Sequence, residues 1–189
     1  DEDTNEYIGS DIDYYVDKDE ENVICIFPRR QIKKITVQNE DIIDVDTGIT
    51  EVEYQNTAGK TKKISVIKDA NFVYNGTSSY NVSADDITQT DGYTEFIDTD
   101  DDGKYDLVKI WNYKTYFVGN ISQSAYSISD INTGSTAVLD SDDSNYNLYI
   151  KKLDAEITFD MIEKYNVVSI AESNEDTGEK LITAEVSDN

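Results

Sequence analysis

Residues 96–110 read Phe-Ile-Asp98-Thr-Asp100-Asp101-Asp102-Gly103-Lys104-Tyr-Asp106-Leu-Val-Lys-Ile. Acidic groups fall at positions 1, 3, 5 and 9 of a loop whose sixth residue is glycine. A hard cation such as Ca²⁺ takes six or more oxygens at about 2.3–2.6 Å. The side chains of Asp98, Asp100, Asp102 and Asp106 can supply most of them. The carbonyl of Lys104 falls at position 7, where such a loop contributes a backbone oxygen. Gly103 permits the sharp bend. Without an ion the crowded carboxylates repel one another, so the loop favours a divalent cation. The plainer alternative is a hydrated acidic turn whose Asp and Gly residues serve turn geometry alone.

The loop is not an EF-hand. Its position 12 is Lys109 rather than a bidentate Glu, and its flanks, Glu95-Phe-Ile and Leu107-Val-Lys-Ile, have the character of strands. The spacing resembles the Asp-x-Asp-x-Asp-Gly-x-x-Asp loops on β-hairpins of secreted bacterial and adhesive proteins. Other acidic turns are poorer. Ser173-Asn-Glu175-Asp176-Thr-Gly178-Glu179 is a broken ladder, and Asp17-Lys-Asp19-Glu20-Glu21-Asn22 lacks the glycine. Asp140-Ser-Asp142-Asp143 reads as turn residues.

The elements that must hold this loop are strands. Apolar and polar residues alternate in Ile49–Tyr54, Lys63–Val66, Val108–Trp111, Tyr116–Val118, Leu148–Ile150 and Val168–Ile170, each ending near Asn, Asp, Gly or Ser. The pieces recur roughly every 8–12 residues, the spacing of a sandwich or small barrel. Helical patterns are confined to Ser83–Ile87 and Thr158–Ile162, each opened by a capping hydroxyl, the second extended about one turn by Glu163 and Lys164. Glu51 and Glu53 are expected near Lys62 and Lys63 across a hairpin.

The chain also resembles itself. Shifted by 86 residues, Ile24 meets Ile110, Ile35 meets Ile121, Asp44-Val45-Asp46-Thr47-Gly48 meets Asp130-Ile131-Asn132-Thr133-Gly134, Val52 meets Val138 and Ile64 meets Ile150. Beyond that the shift is 75: Ser83 meets Thr158, Asp85 meets Asp160 and Gly103 meets Gly178. The difference places an insertion of about 11 residues in the first copy, around residues 71–76. The implied unit of roughly 80 residues is a hairpin, a capped helical turn and a second hairpin; the second hairpin recurs near residues 12–27, 93–112 and 167–186. The expectation is an all-β chain of tandem small β-barrel or sandwich units: a partial unit over 1–28, a first unit over 29–113 and a second over 114–189.

Composition narrows the function. Among 189 residues, acids outnumber bases 40 to 16, for a formal charge of −24, with no His and one Cys. Phosphate-backbone binding needs clustered Lys and Arg, so nucleic acid is excluded as a partner. Catalysis and zinc ligation that depend on His are excluded, as is an intrachain disulfide. Cys25, in Val-Ile-Cys-Ile, reads as a small buried apolar residue. Apolar runs are too short for a membrane span. The start at Asp1-Glu2-Asp3-Thr4 is expected for an excised or processed fragment. Trp111 and the 14 tyrosines are assigned to core and cross-strand packing. Asn75-Gly-Thr77 fits a glycosylation acceptor pattern only weakly.

The run from Phe96 to Ile110, followed by Thr158-Phe-Asp-Met-Ile-Glu-Lys-Tyr-Asn-Val-Val-Ser-Ile170, resembles recurrent segments of clostridial-type cell-surface proteins that carry S-layer homology modules elsewhere. The likeness covers about residues 45–189, and no such module lies in this chain. It implies a secreted, cell-wall-associated, non-catalytic β-rich array whose partners are neighbouring repeats of the same polypeptide, with cell-wall polymer or glycan as a further partner. The competing expectation is a glycan- or protein-binding module of an adhesin or of a secreted polysaccharide-degrading enzyme.

Overall fold

The computed structural model describes residues 12–16, 22–28, 33–89, 91–153, 155–174 and 180–188, apart from the side chains of 13 and 24–28. Strands dominate. Ile12–Val16 (β1) and Val23–Pro28 (β2) form an antiparallel hairpin. A first sheet is built from Lys33–Gln38 (β3), Ile42–Val45 (β4), Glu51–Gln55 (β5), Thr61–Tyr74 (β6), Thr77–Ser79 (β7), Gly92–Asp98 (β8) and Tyr105–Asn112 (β9), with the short helix Ala84–Ile87 (α1) between β7 and β8. A second sheet is built from Lys114–Ser122 (β10), Ser127–Asp130 (β11), Thr136–Val138 (β12), Tyr146–Lys152 (β13), Ala155–Glu156 (β14), Val167–Glu172 (β15) and Lys180–Ser187 (β16). The chain is all-β.

The two sheets carry the same elements in the same order. A 3₁₀ turn follows β3 (Asn39–Asp41) and β10 (Gln123–Ala125). A short return strand follows β6 and β13, and a helical turn then precedes the last hairpin. In the first sheet β3–β8 and β8–β9 are antiparallel and β9–β6 is parallel; β10–β15, β15–β16 and β16–β13 repeat that pattern. The two sheets differ in where the remaining hairpin attaches. In the first, β5 pairs with β6 and β4 lies at the edge; in the second, β11 pairs with β10 and β12 lies at the edge. Among the described residues neither sheet closes into a barrel, which corrects the expectation of closed units.

Each sheet curls around its own core. Val37, Val52, Ile64, Val66, Phe96, Val108 and Ile110 pack together with Ile87 of α1. Tyr116, Val118, Ile128, Ile150, Val168, Ile170, Ile182 and Val186 pack with Phe159 and Ile162. One sheet supplying nearly all of a core must coil into a half-barrel, and a helical turn plugs the open side. Full burial of each such side chain contributes about 1.5–3 kcal/mol.

Helical turns form where Ser83 and Thr158 predict them, but only the first is capped: the Thr158 hydroxyl makes no capping bond and donates to the Asp160 carboxylate instead. The Asp86 carboxylate reaches back to the Ser83 amide at 2.8 Å and to its hydroxyl at 2.7 Å. The second turn, Phe159–Met161, is 3₁₀ and is not prolonged through Glu163 and Lys164. The 86-residue shift needs correction at the residue level: Val52 is fully buried, whereas its supposed counterpart Val138 is largely exposed. The β4–β5 and β11–β12 hairpins attach at different seams, so equal spacing in sequence does not give equal depth. The extra residues of the first copy lie in β6, which is twice the length of β13 and carries an irregularity between Val66 and Asn71. Lys63 bridges Glu51 at 2.6 Å and Glu53 at 2.7 Å, while Lys62 sits opposite Tyr54.

Candidate metal centre

The acidic loop joins β8 to β9. Their register sets Ile97 opposite Leu107, so the next pair is Asp98 opposite Asp106. Two carboxylates directly across a ladder destabilise it unless something positive lies between them. Asp98 shares the face of Thr94 and Phe96 and is therefore buried, at 2% exposure, at the end of the core. Asp100 folds back from the loop. Ligand oxygens of Asp98, Asp100 and Asp106 lie within 4.8 Å of one another, a span one cation can bridge.

Backbone amides hold the loop in shape. Gly103 N–H donates to Asp98 Oδ2 at 3.0 Å, and the amide and hydroxyl of Thr99 donate to the Asp106 carboxylate at 3.2 and 2.9 Å. Asp102 N–H donates to Asp100 Oδ1 at 3.2 Å, and Lys104 N–H to Asp102 Oδ1 at 2.8 Å. Gly103 and Asp101 both have positive φ, 89° and 62°. Glycine adopts that conformation at no steric cost, and Asp tolerates it better than most residues.

Lys33, opposite Asp98 on β3, reaches Asp98 Oδ2 at 3.3 Å. Burial pushes the Asp98 carboxyl upward, but the Gly103 amide and the Lys33 ammonium outweigh it and hold the group below the usual carboxylate range. Asp98 is therefore an anion at neutral pH. Its second oxygen, Oδ1, is buried and has no hydrogen-bond partner. An ionised oxygen out of water without a donor is costly, and an oxygen-seeking cation satisfies it.

Of the five residues read from the sequence, Asp98, Asp100 and Asp106 are brought together. Asp102 and Lys104 are exposed on the outer side of the loop, where they bond to each other through the Lys104 amide. The sequence reading does not include Lys33, which lies opposite Asp98, while Lys34 lies opposite Ile97. Glu95, 9% exposed, accepts from Lys34 at 2.6 Å and faces the buried Lys109 at 3.9 Å. The acidic turns at 17–22 and 173–179 lie largely outside the described residues, as does the side chain of Cys25. Asp140 and Asp143 accept amides of Asp142 and Asn145, as turn residues do. Asn75 is buried with its amide bonded inside the protein, so it offers no acceptor for a glycan.

No family model, curated protein or solved structure matches this chain. Among the described residues, no helix is long and apolar enough to cross a membrane.

Proposed function

We propose that the chain is a non-catalytic structural segment of a secreted bacterial cell-surface protein, stabilised by one Ca²⁺ at Asp98, Asp100 and Asp106. The duplicated order of strands supports the array. Taken as rings, β3-β8-β9-β6-β5-β4 and β10-β15-β16-β13-β12-β11 are the same cyclic order, opened between β4 and β3 in one copy and between β12 and β13 in the other. On this reading each unit is a half-barrel open at a different seam. The units span 29–113 and 114–189, and the β1–β2 hairpin ends a preceding one. Repeat units bury too little surface alone and gain stability from their neighbours.

The observation that carries the metal is the buried, unpartnered oxygen of Asp98 in a cluster of three carboxylates. Among the described residues the second unit has no such cluster. Isothermal titration of the chain with CaCl₂ tests this. One binding event per chain is expected, abolished by Asp98→Asn with Asp106→Asn; no heat above dilution, or heat unchanged in that variant, refutes the site. The cell-surface setting rests on the resemblance of residues 96–110 and 158–170 to surface-protein repeats.

A further inference from the structure

Three aromatic rings gather where the first sheet meets the second. Tyr93 on β8 and Trp111 on β9 are cross-strand partners, and Tyr113 follows two residues later. Trp111 and Tyr113 stack with centroids 6.3 Å apart and planes 11° apart, and Tyr93 leans on both at 6.5 and 6.4 Å. The Tyr113 hydroxyl is fixed by Glu185 of β16 at 3.2 Å, so the stack is braced by both sheets.

Beside them is a shallow depression of about 320 Å³, open to solvent over most of its extent. Tyr93 and Tyr113 form its aromatic wall; Gln38, Glu40, Asp91 and Thr115 supply its polar groups. No Lys or Arg lines it. With Ser169 the polar groups offer two carboxylates, one amide and two hydroxyls, beside the phenol groups of the tyrosines, a set rich in acceptors for O–H donors. An aromatic face packs the C–H face of a pyranose ring, and carboxylates and amides take its hydroxyls. A chain of net charge −24 with no cation in the depression repels acidic polymers.

We infer that the depression between Tyr93, Tyr113, Glu40 and Asp91 binds a neutral saccharide. The site lies apart from the Asp98 loop and does not depend on calcium. Its walls come from both sheets, so sugar binding also ties the two units together.

The single tryptophan of the chain, Trp111, stacks on the wall of the depression and reports on it by fluorescence. The full chain is titrated, in calcium and in chelator, with cellohexaose, mannohexaose, hexa-N-acetylchitohexaose and, as the anionic control, oligogalacturonate, each to about 10 mM, well past the dissociation constant of a weak site. At least one neutral hexasaccharide is expected to shift the emission saturably, equally in both buffers, while oligogalacturonate does not. Glu40→Gln with Asp91→Asn, both exposed and harmless to folding, and Tyr93→Ala are each expected to weaken binding about tenfold or more, the loss of roughly one stacking or charge-assisted contact. No response to any neutral sugar, a response unaltered in the Glu40/Asp91 variant, or equal binding of oligogalacturonate overturns the inference. Sugar binding in chelator with no calcium uptake leaves this site standing and removes only the metal.

Discussion

Asn75 is a rivet between the two sheets, and its removal has a calculable cost. It opens the two-residue Asn75-Gly76 turn between β6 and β7, the residue pair that suits positive φ at both places, and its own φ is 46°. At 2% exposure its side chain accepts from Asn112 N–H at 2.8 Å and donates to the Glu172 carbonyl of β15 at 2.7 Å. Asn75→Ala strands that amide and that carbonyl, at about 1–3 kcal/mol each. Placing Ala in the left-handed region adds about 1 kcal/mol. The expected loss is therefore about 3–7 kcal/mol, and Asn75→Gly, free of the conformational cost, loses about 1 kcal/mol less. Asn75→Asp keeps the acceptor for Asn112 but buries a carboxylate against the Glu172 carbonyl, which raises its folded pKa. A raised pKa means the ionised form is the disfavoured one. The deficit against wild type is thus full at pH 7, shrinks as pH falls through the raised value, and is least below the unfolded value near 3.9. Urea unfolding followed by Trp111 fluorescence at pH 7 and pH 4 measures all of this. A loss below about 1 kcal/mol for Asn75→Ala, or a pH-independent deficit for Asn75→Asp, refutes the rivet.

Gly92→Ala would put a Cβ 1.9 Å from the Trp111 carbonyl oxygen, a backbone clash that must pry β8 from β9; a loss above about 3 kcal/mol is expected, read from the same urea curves. Asp130 takes the amide of Thr133, then of Phe117, together with the Thr133 hydroxyl, and these hold its carboxyl below the usual range against the effect of burial. Its contribution to stability is complete above the unfolded pKa and is lost as pH falls through the lower folded value, so the pH dependence of unfolding below about pH 4 should flatten in Asp130→Asn. Glu95→Ala removes the carboxylate that accepts from Lys34 and faces the buried Lys109 and should cost about 1–3 kcal/mol, while Glu95→Leu with Lys109→Met should cost less, both measured by thermal melting.

The strands, the two helical turns and the duplicated order were all readable, because alternation and turn residues act locally; of the two cap hydroxyls, Thr158 makes no capping bond. Register was harder. Val52 and Val138 match in sequence but not in depth, because β5 is held by β6 whereas β12 hangs on β11. Which seam a half-barrel leaves open depends on long-range pairing that no local pattern encodes. At the loop, the spacing of Asp98, Asp100 and Asp106 was informative because β8 and β9 must pair beneath it. Asp102 lies outside the cluster of Asp98, Asp100 and Asp106, and its carboxylate accepts the Lys104 amide. Lys33 and the Tyr93–Trp111–Tyr113 stack arise from cross-strand neighbours more than 15 residues apart in sequence, or from the meeting of two sheets, and single-sequence periodicity is blind to both.

The central claim is that a hard cation fastens the Asp98–Asp106 loop of the first unit. At about 2 mM Ca²⁺ and a dissociation constant of about 0.1 mM, within the span of extracellular sites, linkage adds about 1.8 kcal/mol. Scanning calorimetry in calcium and in chelator reads it directly. If both units melt together the midpoint should rise by about 4–7 °C, and if the first unit melts alone by about 7–14 °C. Asp98→Asn with Asp106→Asn should show no rise in either case. Equal midpoints for the wild-type chain in the two buffers would contradict the claim.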